Sequence, residues 1–111
     1  KCNVDVIIDE RLIEQNYGIY EGMSPKTPEF LENKKMFAYK YPEGESMMQV
    51  AHRAYGLIED IKEKYKGKNV MFVTHGGVCR VIHTYFHDLT NEEYFHYVTK
   101  NCAVREYDLN V

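Results

Sequence analysis

The sequence predicts an α/β domain with a layered sheet, and three observations lead there. Short β-branched runs alternate along the chain with segments of helical spacing. A strand-like run, Val70-Met71-Phe72-Val73, leads through paired glycines into an apolar helical face. The 111 residues, 44% of them apolar, suit one domain with its own core rather than two. A domain of this size buries roughly two-thirds of the surface of its unfolded chain.

Val4 to Ile8 is short, apolar and β-branched and reads as a strand. Asp9 to Gly22 has no clean period and reads as an irregular loop. Thr27-Pro28-Glu29 opens a helix running to about Phe37, with Thr27 as cap, Pro28 at the first helical position and Glu29 at the positive end. Tyr39 to Gly44 is a second loop. Ser46 and Gln49 match a capping box, and Met47, Val50, Ala51, Ala54, Leu57, Ile58, Ile61 and Tyr65 follow at three-four spacing. Lys62, Lys64 and Lys66 suit the end of that helix, and Gly67 suits its stop. Asn69 to Thr74 reads as a buried strand. Val78, Val81, Ile82, Tyr85 and Phe86 mark the apolar side of the next helix. Thr90 and Glu93 form another capping box before a short helix from Asn91 to about Tyr97, and Ala103 to Leu109 reads as a final strand.

The net charge is −3, which offers no general electrostatic case for nucleic acid or an anionic membrane surface. No apolar run approaches the roughly 20 residues of a membrane helix. Three widely spaced cysteines, Cys2, Cys79 and Cys102, read as reduced thiols of a cytoplasmic protein. The ten Tyr and five Phe, without any Trp, predict many half-buried rings with wet hydroxyls.

Two segments carry the chemistry. Val73-Thr74-His75-Gly76-Gly77 is a strand-to-helix turn suited to an anion. The helix start offers free N–H groups and a positive dipole end. Gly76 and Gly77 let the backbone approach a phosphate, and His75 can donate to a phosphoryl oxygen. The second segment, Asp9-Glu10-Arg11-Leu12-Ile13-Glu14, follows the first strand and so falls on the same ligand-binding edge, where a carboxyl can transfer a proton.

These segments join Tyr17-Gly18-Ile19-Tyr20-Glu21-Gly22, Pro42-Glu43-Gly44-Glu45-Ser46 and Asn101 in an order that resembles the histidine phosphatase superfamily, also called phosphoglycerate-mutase-like. The resemblance runs from about Val4 to the end. It implies a three-layer α/β/α fold, incomplete at its N-terminal central strand, with residues 1–111 as the C-terminal portion of one domain. It implies phosphoryl transfer through a phosphohistidine, on a small phosphorylated substrate and with no metal or other cofactor. His75 is then the histidine that stabilises the transferred phosphoryl group, and Glu14 the acid that protonates the leaving oxygen. Tyr17, Gly76 and Gly77 are the substrate-binding positions, and Ser46 is the structural cap of the long helix.

The family's nucleophile lies in an Arg-His-Gly motif, and this sequence contains none. Arg11, Arg53, Arg80 and Arg105 sit in other motifs and match no phosphate-binding role of the family. The expectation is a chain that begins after the nucleophile, is inactive alone, and leaves interior strand edges open for self-association or strand exchange.

The mutases of the family that act on phosphoglycerate carry Glu-Arg-His-Tyr-Gly in the acid loop. Here the run is Glu14-Gln15-Asn16-Tyr17-Gly18, so a carboxylate-binding Arg is replaced by Gln15. The following stretch offers Lys26, Lys34, Lys35 and Lys40 but no Arg, and lysine does not reproduce a bidentate clamp. A phosphatase is therefore expected ahead of a mutase, with a non-enzymatic phosphate-binding module as the competing class.

His83 and His87 stand at a spacing that can chelate a metal, but they lack the interposed Glu of a zinc hydrolase and read as half-buried structural histidines. Cys79, near a helix start, can have a lowered thiol pKa, although a packed thiol is the simpler reading.

Overall fold

The computed structural model describes residues 3–24 and 26–109; Cys2 lies outside them. Among the described residues there are four α-helices, α1 (Pro28–Asn33), α2 (Met47–Lys64), α3 (Gly76–Phe86) and α4 (Asn91–His96). Two 3-10 turns, Glu10–Leu12 and Gly18–Tyr20, shape the first loop.

Helix α2 starts where its cap dictates. Ser46 Oγ accepts from the Gln49 amide at 3.2 Å, and Gln49 Oε1 accepts from the Ser46 amide at 2.7 Å. One face then buries Val50, Ala54, Leu57 and Ile58. Helix α3 lies against it, and Val78, Val81 and Ile82 complete the main core with Val50, Ala54 and Ile58. Each buried Val, Leu or Ile side chain contributes about 1.5–3 kcal/mol of burial. Helix α4 carries the second capping box, with both of its hydrogen bonds formed.

A second, aromatic cluster accounts for much of the tyrosine content. Tyr20, Phe30 and Tyr41 are buried with Tyr17 and Tyr39 packed around them. The Tyr20 and Tyr41 rings meet edge to face at 5.6 Å, the geometry that ring quadrupoles favour. Gly18 makes this fold of the loop possible. Its φ is +58°, and a Cβ there would run into the Pro42 carbonyl.

The expected α/β architecture, and with it the three-layer α/β/α arrangement, does not form. Among the described residues there is no strand and no sheet, and the fold is helical. The three runs expected as strands, 4–8, 69–74 and 103–109, carry no strand pairing. Among the described residues, no backbone–backbone hydrogen bond outside the helices involves residues 4–8 or 69–74. The cause is physical: β-propensity needs a neighbouring strand to take up the N–H and C=O groups, and α2 and α3 cover only one side. Phe72, Tyr107 and Leu109 pack on the helices. Val6, Ile8, Met71 and Val73 remain 87%, 92%, 75% and 82% exposed. The chain's accessible surface is 8710 Å², whereas a monomer of its mass has roughly 6,400 Å².

Two boundaries also move. Helix α1 stops at Asn33 rather than near Phe37. Thr27 does not cap it: its hydroxyl donates instead to the Ser24 carbonyl at 2.8 Å.

Candidate functional site

The Glu14 loop is fixed from both sides. On the N-terminal side, Asp9 accepts from the Arg11 amide at 2.9 Å and so caps the 3-10 turn. The Arg11 guanidinium bonds back to Asp9 at 2.8 Å and holds its carboxyl below the usual range, and it reaches Asp60 of α2 at 2.5 Å. Arg53 of α2 donates through Nη1 to the Arg11 carbonyl at 2.7 Å and through Nη2 to Glu45 Oε1 at 2.7 Å. On the C-terminal side, Glu45 Oε1 accepts from the Asn16 amide at 2.9 Å. The Gln15 side-chain amide donates to the Glu45 carbonyl at 3.1 Å, and Gln15 is buried. Residue 15 is therefore a strut of the loop.

The turn after residue 74 is tied to the same loop, because Thr74 Oγ1 donates to the Leu12 carbonyl at 2.6 Å. His75 is the N-cap residue of α3, with extended backbone (φ −109°, ψ 162°), and its carbonyl accepts from the Cys79 amide at 2.8 Å. Its side chain is exposed and makes no capping bond.

Glu14 meets the start of α3. Its Oε2 accepts from the Gly77 amide at 3.2 Å, and its Oε1 from the Gln15 amide at 3.0 Å. Glycine is required at 77 for this approach, since a Cβ would lie 2.5 Å from Glu14 Oε1. A carboxylate at a helix N-terminus is favoured by the dipole and the free N–H groups.

A cavity of about 180 Å³ opens here, lined in part by Glu14, Tyr17, Gly76, Gly77, Lys34 and Arg80. Four of the five residues expected from sequence thus converge, and His75 stands beside them at the head of α3, outside the lining. Tyr17 packs on Phe30 and Tyr41 at 5.1 and 5.3 Å. Burial, and then the Glu14 charge, push its hydroxyl pKa upward, so it is a neutral donor at the pocket wall.

Sequence reasoning weighed Lys34 and Arg80 but placed neither in the site, and both line the cavity. A signal existed for Arg80: it lies four residues after Gly76 and three after Gly77, on the same face of α3. Lys34 had no local signal, because it reaches the cavity only through the packing of α1 on the aromatic cluster.

Two further expectations resolve. Burial, joined by the Glu14 charge, raises the Cys79 thiol pKa, so Cys79 is not activated by the helix start. His83 Nδ1 lies 2.8 Å from the Tyr107 hydroxyl, and the His83 ring stacks on Tyr97 at 4.5 Å. Among the described residues, no group of three or more His, Cys, Asp or Glu gathers as a metal site. A larger cavity, about 330 Å³ and bordered by Phe37, Met48, Ala51, Val81 and Leu89, includes none of the expected site residues. No described helix is long and apolar enough to cross a membrane.

A 2,3-bisphosphoglycerate-dependent phosphoglycerate mutase 2 of Arabidopsis thaliana is 35% identical over 102 residues, covering 84% of this chain and 31% of that protein. A metal-independent phosphoserine phosphatase of the same plant is 50% identical over 40 residues, 36% of this chain and 17% of the relative. An acid phosphatase of Mycobacterium tuberculosis is 34% identical over 76 residues, 66% of this chain and 36% of the relative. The aligned part is thus about a third or less of the length of each of these relatives. The family model described as histidine phosphatase superfamily (branch 1) matches residues 1–110, and the chain belongs to that superfamily.

Proposed function

We propose that this chain supplies the phosphoryl-stabilising and proton-transferring half of a phosphomonoester hydrolase. His75 and the Gly76 and Gly77 amides stabilise the phosphoryl group, Glu14 is the general acid and then base, and Tyr17 donates to the substrate. The observation that carries this reading is the hydrogen bond from the Gly77 amide to Glu14, which brings the proton donor within reach of the anion-binding helix start. The substrate is a small phosphorylated molecule, in keeping with the phosphatases and mutase among the relatives.

Hydrolysis is favoured over mutase chemistry by the buried amide of Gln15, which offers no guanidinium to a substrate carboxylate. The phosphohistidine forms on an Arg-His-Gly segment that these 111 residues do not contain, so the polypeptide alone is inactive. Its compartment is the cytoplasm, a reading supported by the free thiols Cys79 and Cys102. Its exposed extended runs pair with a second copy.

A phosphomonoesterase assay on the purified chain tests the reading. No turnover is expected. Turnover abolished by His75→Ala would overturn the inactivity, and inorganic phosphate binding unchanged by His75→Ala would overturn the role of that residue.

A further inference from the structure

The Glu14 cavity holds an anion-binding helix start and, on the same lining, an amine with no acid beside it. Lys34, at the C-terminal end of α1, lines the cavity with Glu14, Gly76, Gly77 and Arg80. Among the described residues no carboxylate forms an ion pair with Lys34, whereas its neighbour Lys35 pairs with Glu32 at 3.5 Å. The Lys34 nitrogen instead sits 5.3 Å from the ring centre of Phe30, which is buried in the aromatic cluster. That contact holds the side chain against the cavity wall.

Two features suit this amine to nucleophilic attack. Burial first, and then the Arg80 charge, lower the pKa of Lys34, while Glu14 opposes them. Desolvation beside a second cation is an arrangement that raises the share of neutral amine. Arg80 is itself fixed. It donates through Nε to the Tyr97 carbonyl at 3.1 Å, and its guanidinium lies 5.3 Å from the Tyr94 ring centre. A fixed cation near an attacking amine stabilises the oxyanion that forms on a carbonyl.

We propose that Lys34 is an acylation site and that the reagents it takes are small acyl phosphates. The proposal rests on the reading that a phosphoryl group binds at His75 and the start of α3. A molecule that joins a phosphoryl group to an acyl carbon engages both halves of the cavity. The Gly76 and Gly77 amides and the helix dipole hold the phosphate. The Lys34 nitrogen forms a bond to the acyl carbon, and the bond from that carbon to the phosphate oxygen breaks. Arg80 stabilises the carbonyl oxygen as it gains charge. The amine proton leaves with the phosphate, so neutral amine and dianionic acyl phosphate give an amide and the hydrogen phosphate dianion. The helix start stabilises the leaving group as well as the incoming one. At about 180 Å³ the cavity suits a reagent as small as acetyl phosphate, since drug-sized ligands occupy roughly 300–1,000 Å³. The amide carries no charge, so acylation weakens later phosphate binding. The reagent thereby closes the site it enters.

The test maps lysine acetylation on the purified chain by mass spectrometry. Acetyl phosphate is one reagent, and p-nitrophenyl acetate, a neutral ester without a phosphoryl group, is the other. Acetyl phosphate should acetylate Lys34 about tenfold or more faster than Lys35. Lys35 is the more exposed of the two, so accessibility alone predicts the opposite order. Inorganic phosphate should suppress labelling of Lys34 and leave Lys35 unaffected. The neutral ester should show a much smaller preference. Arg80→Gln, checked for folding by circular dichroism, should slow the reaction of Lys34 with acetyl phosphate about tenfold. Acetylation of Lys34 by acetyl phosphate no faster than that of Lys35 overturns the proposal. If inorganic phosphate still binds in calorimetry, that result leaves the phosphate reading standing. An equal preference for Lys34 with both reagents, unaffected by inorganic phosphate, would instead keep Lys34 as the acylated amine and overturn the phosphate reading.

Discussion

The Glu14 carboxylate and the Gly77 amide meet at 3.2 Å, so the acid of the first loop caps the helix that follows His75. Glu14 therefore occupies the same positive helix end that an incoming phosphate needs. Neutralising it removes a competitor and a like charge. Glu14→Gln is expected to tighten inorganic phosphate binding by about three- to tenfold, which titration calorimetry measures. Weaker binding would mean that Glu14 holds the site open rather than competing for it.

The two glycines of the turn should behave differently. At Gly76 a Cβ meets nothing within 4 Å, so Gly76→Ala is expected to be neutral or to stabilise by up to about 1 kcal/mol. At Gly77 the Cβ displaces Glu14, a flexible side chain that can swing away. Gly77→Ala should cost about 1 kcal/mol, the worth of the lost hydrogen bond. Urea unfolding of both variants checks the order, and the reverse order would refute the packing at Gly77.

Arg53 is the pin between α2 and the Glu14 loop. Its pair with Glu45 is mostly shielded, and its Nη1 bond to the Arg11 carbonyl has no substitute. Arg53→Ala is expected to cost about 1–3 kcal/mol and to free the loop. Amide hydrogen exchange should then quicken at Asn16, whose N–H is held by Glu45. Unchanged exchange there would show that the loop is held without Arg53.

The histidine pair gives a pH dependence. Burial, followed by the charges of His87 and Arg105, lowers the pKa of His83 from 6.5. The unfolded chain therefore binds a proton that the folded chain resists. Stability is full above pH 6.5 and is lost as pH falls from there through the lower folded pKa. Thermal melts of wild type and His83→Gln at neutral and mildly acidic pH isolate this contribution, and the variant should lose less on acidification. Equal losses would show that His83 does not drive it.

Much of this was legible from the chain. Helix α2 could be read because its apolar spacing, its capping box and its burial all obey one local rule. The convergence of Glu14, Gly76 and Gly77 followed from motif order. The sheet was misread because strand signals at 4–8 and 69–74 report a fit to a paired surface, and among the described residues no neighbouring strand pairs with them. The end of α1 at Asn33 was set by Phe30 turning into the aromatic cluster rather than by a stop residue. Arg80 was discounted because motif matching asks which family role a residue fills, whereas helix geometry asks which face it shares.

The bare runs make the last prediction. The excess surface, 8710 Å² against roughly 6,400 Å² for a monomer of this mass, is about 2,300 Å² per chain. Two copies burying that much each would form an interface in the range of obligate dimers, whose total area is roughly 2,000–5,000 Å². The exposed groups suit edge pairing: among the described residues the backbone N–H and C=O groups of residues 69–74 have no ladder partner, and Met71 and Val73 are largely exposed. The chain should therefore be dimeric or larger at micromolar concentration in light scattering. Val73→Asp leaves the α2–α3 core untouched and should weaken association about tenfold or more, because like charges then face each other across the pair. A monomer that persists to high concentration, or an assembly indifferent to Val73→Asp, would show that these runs are not where copies meet.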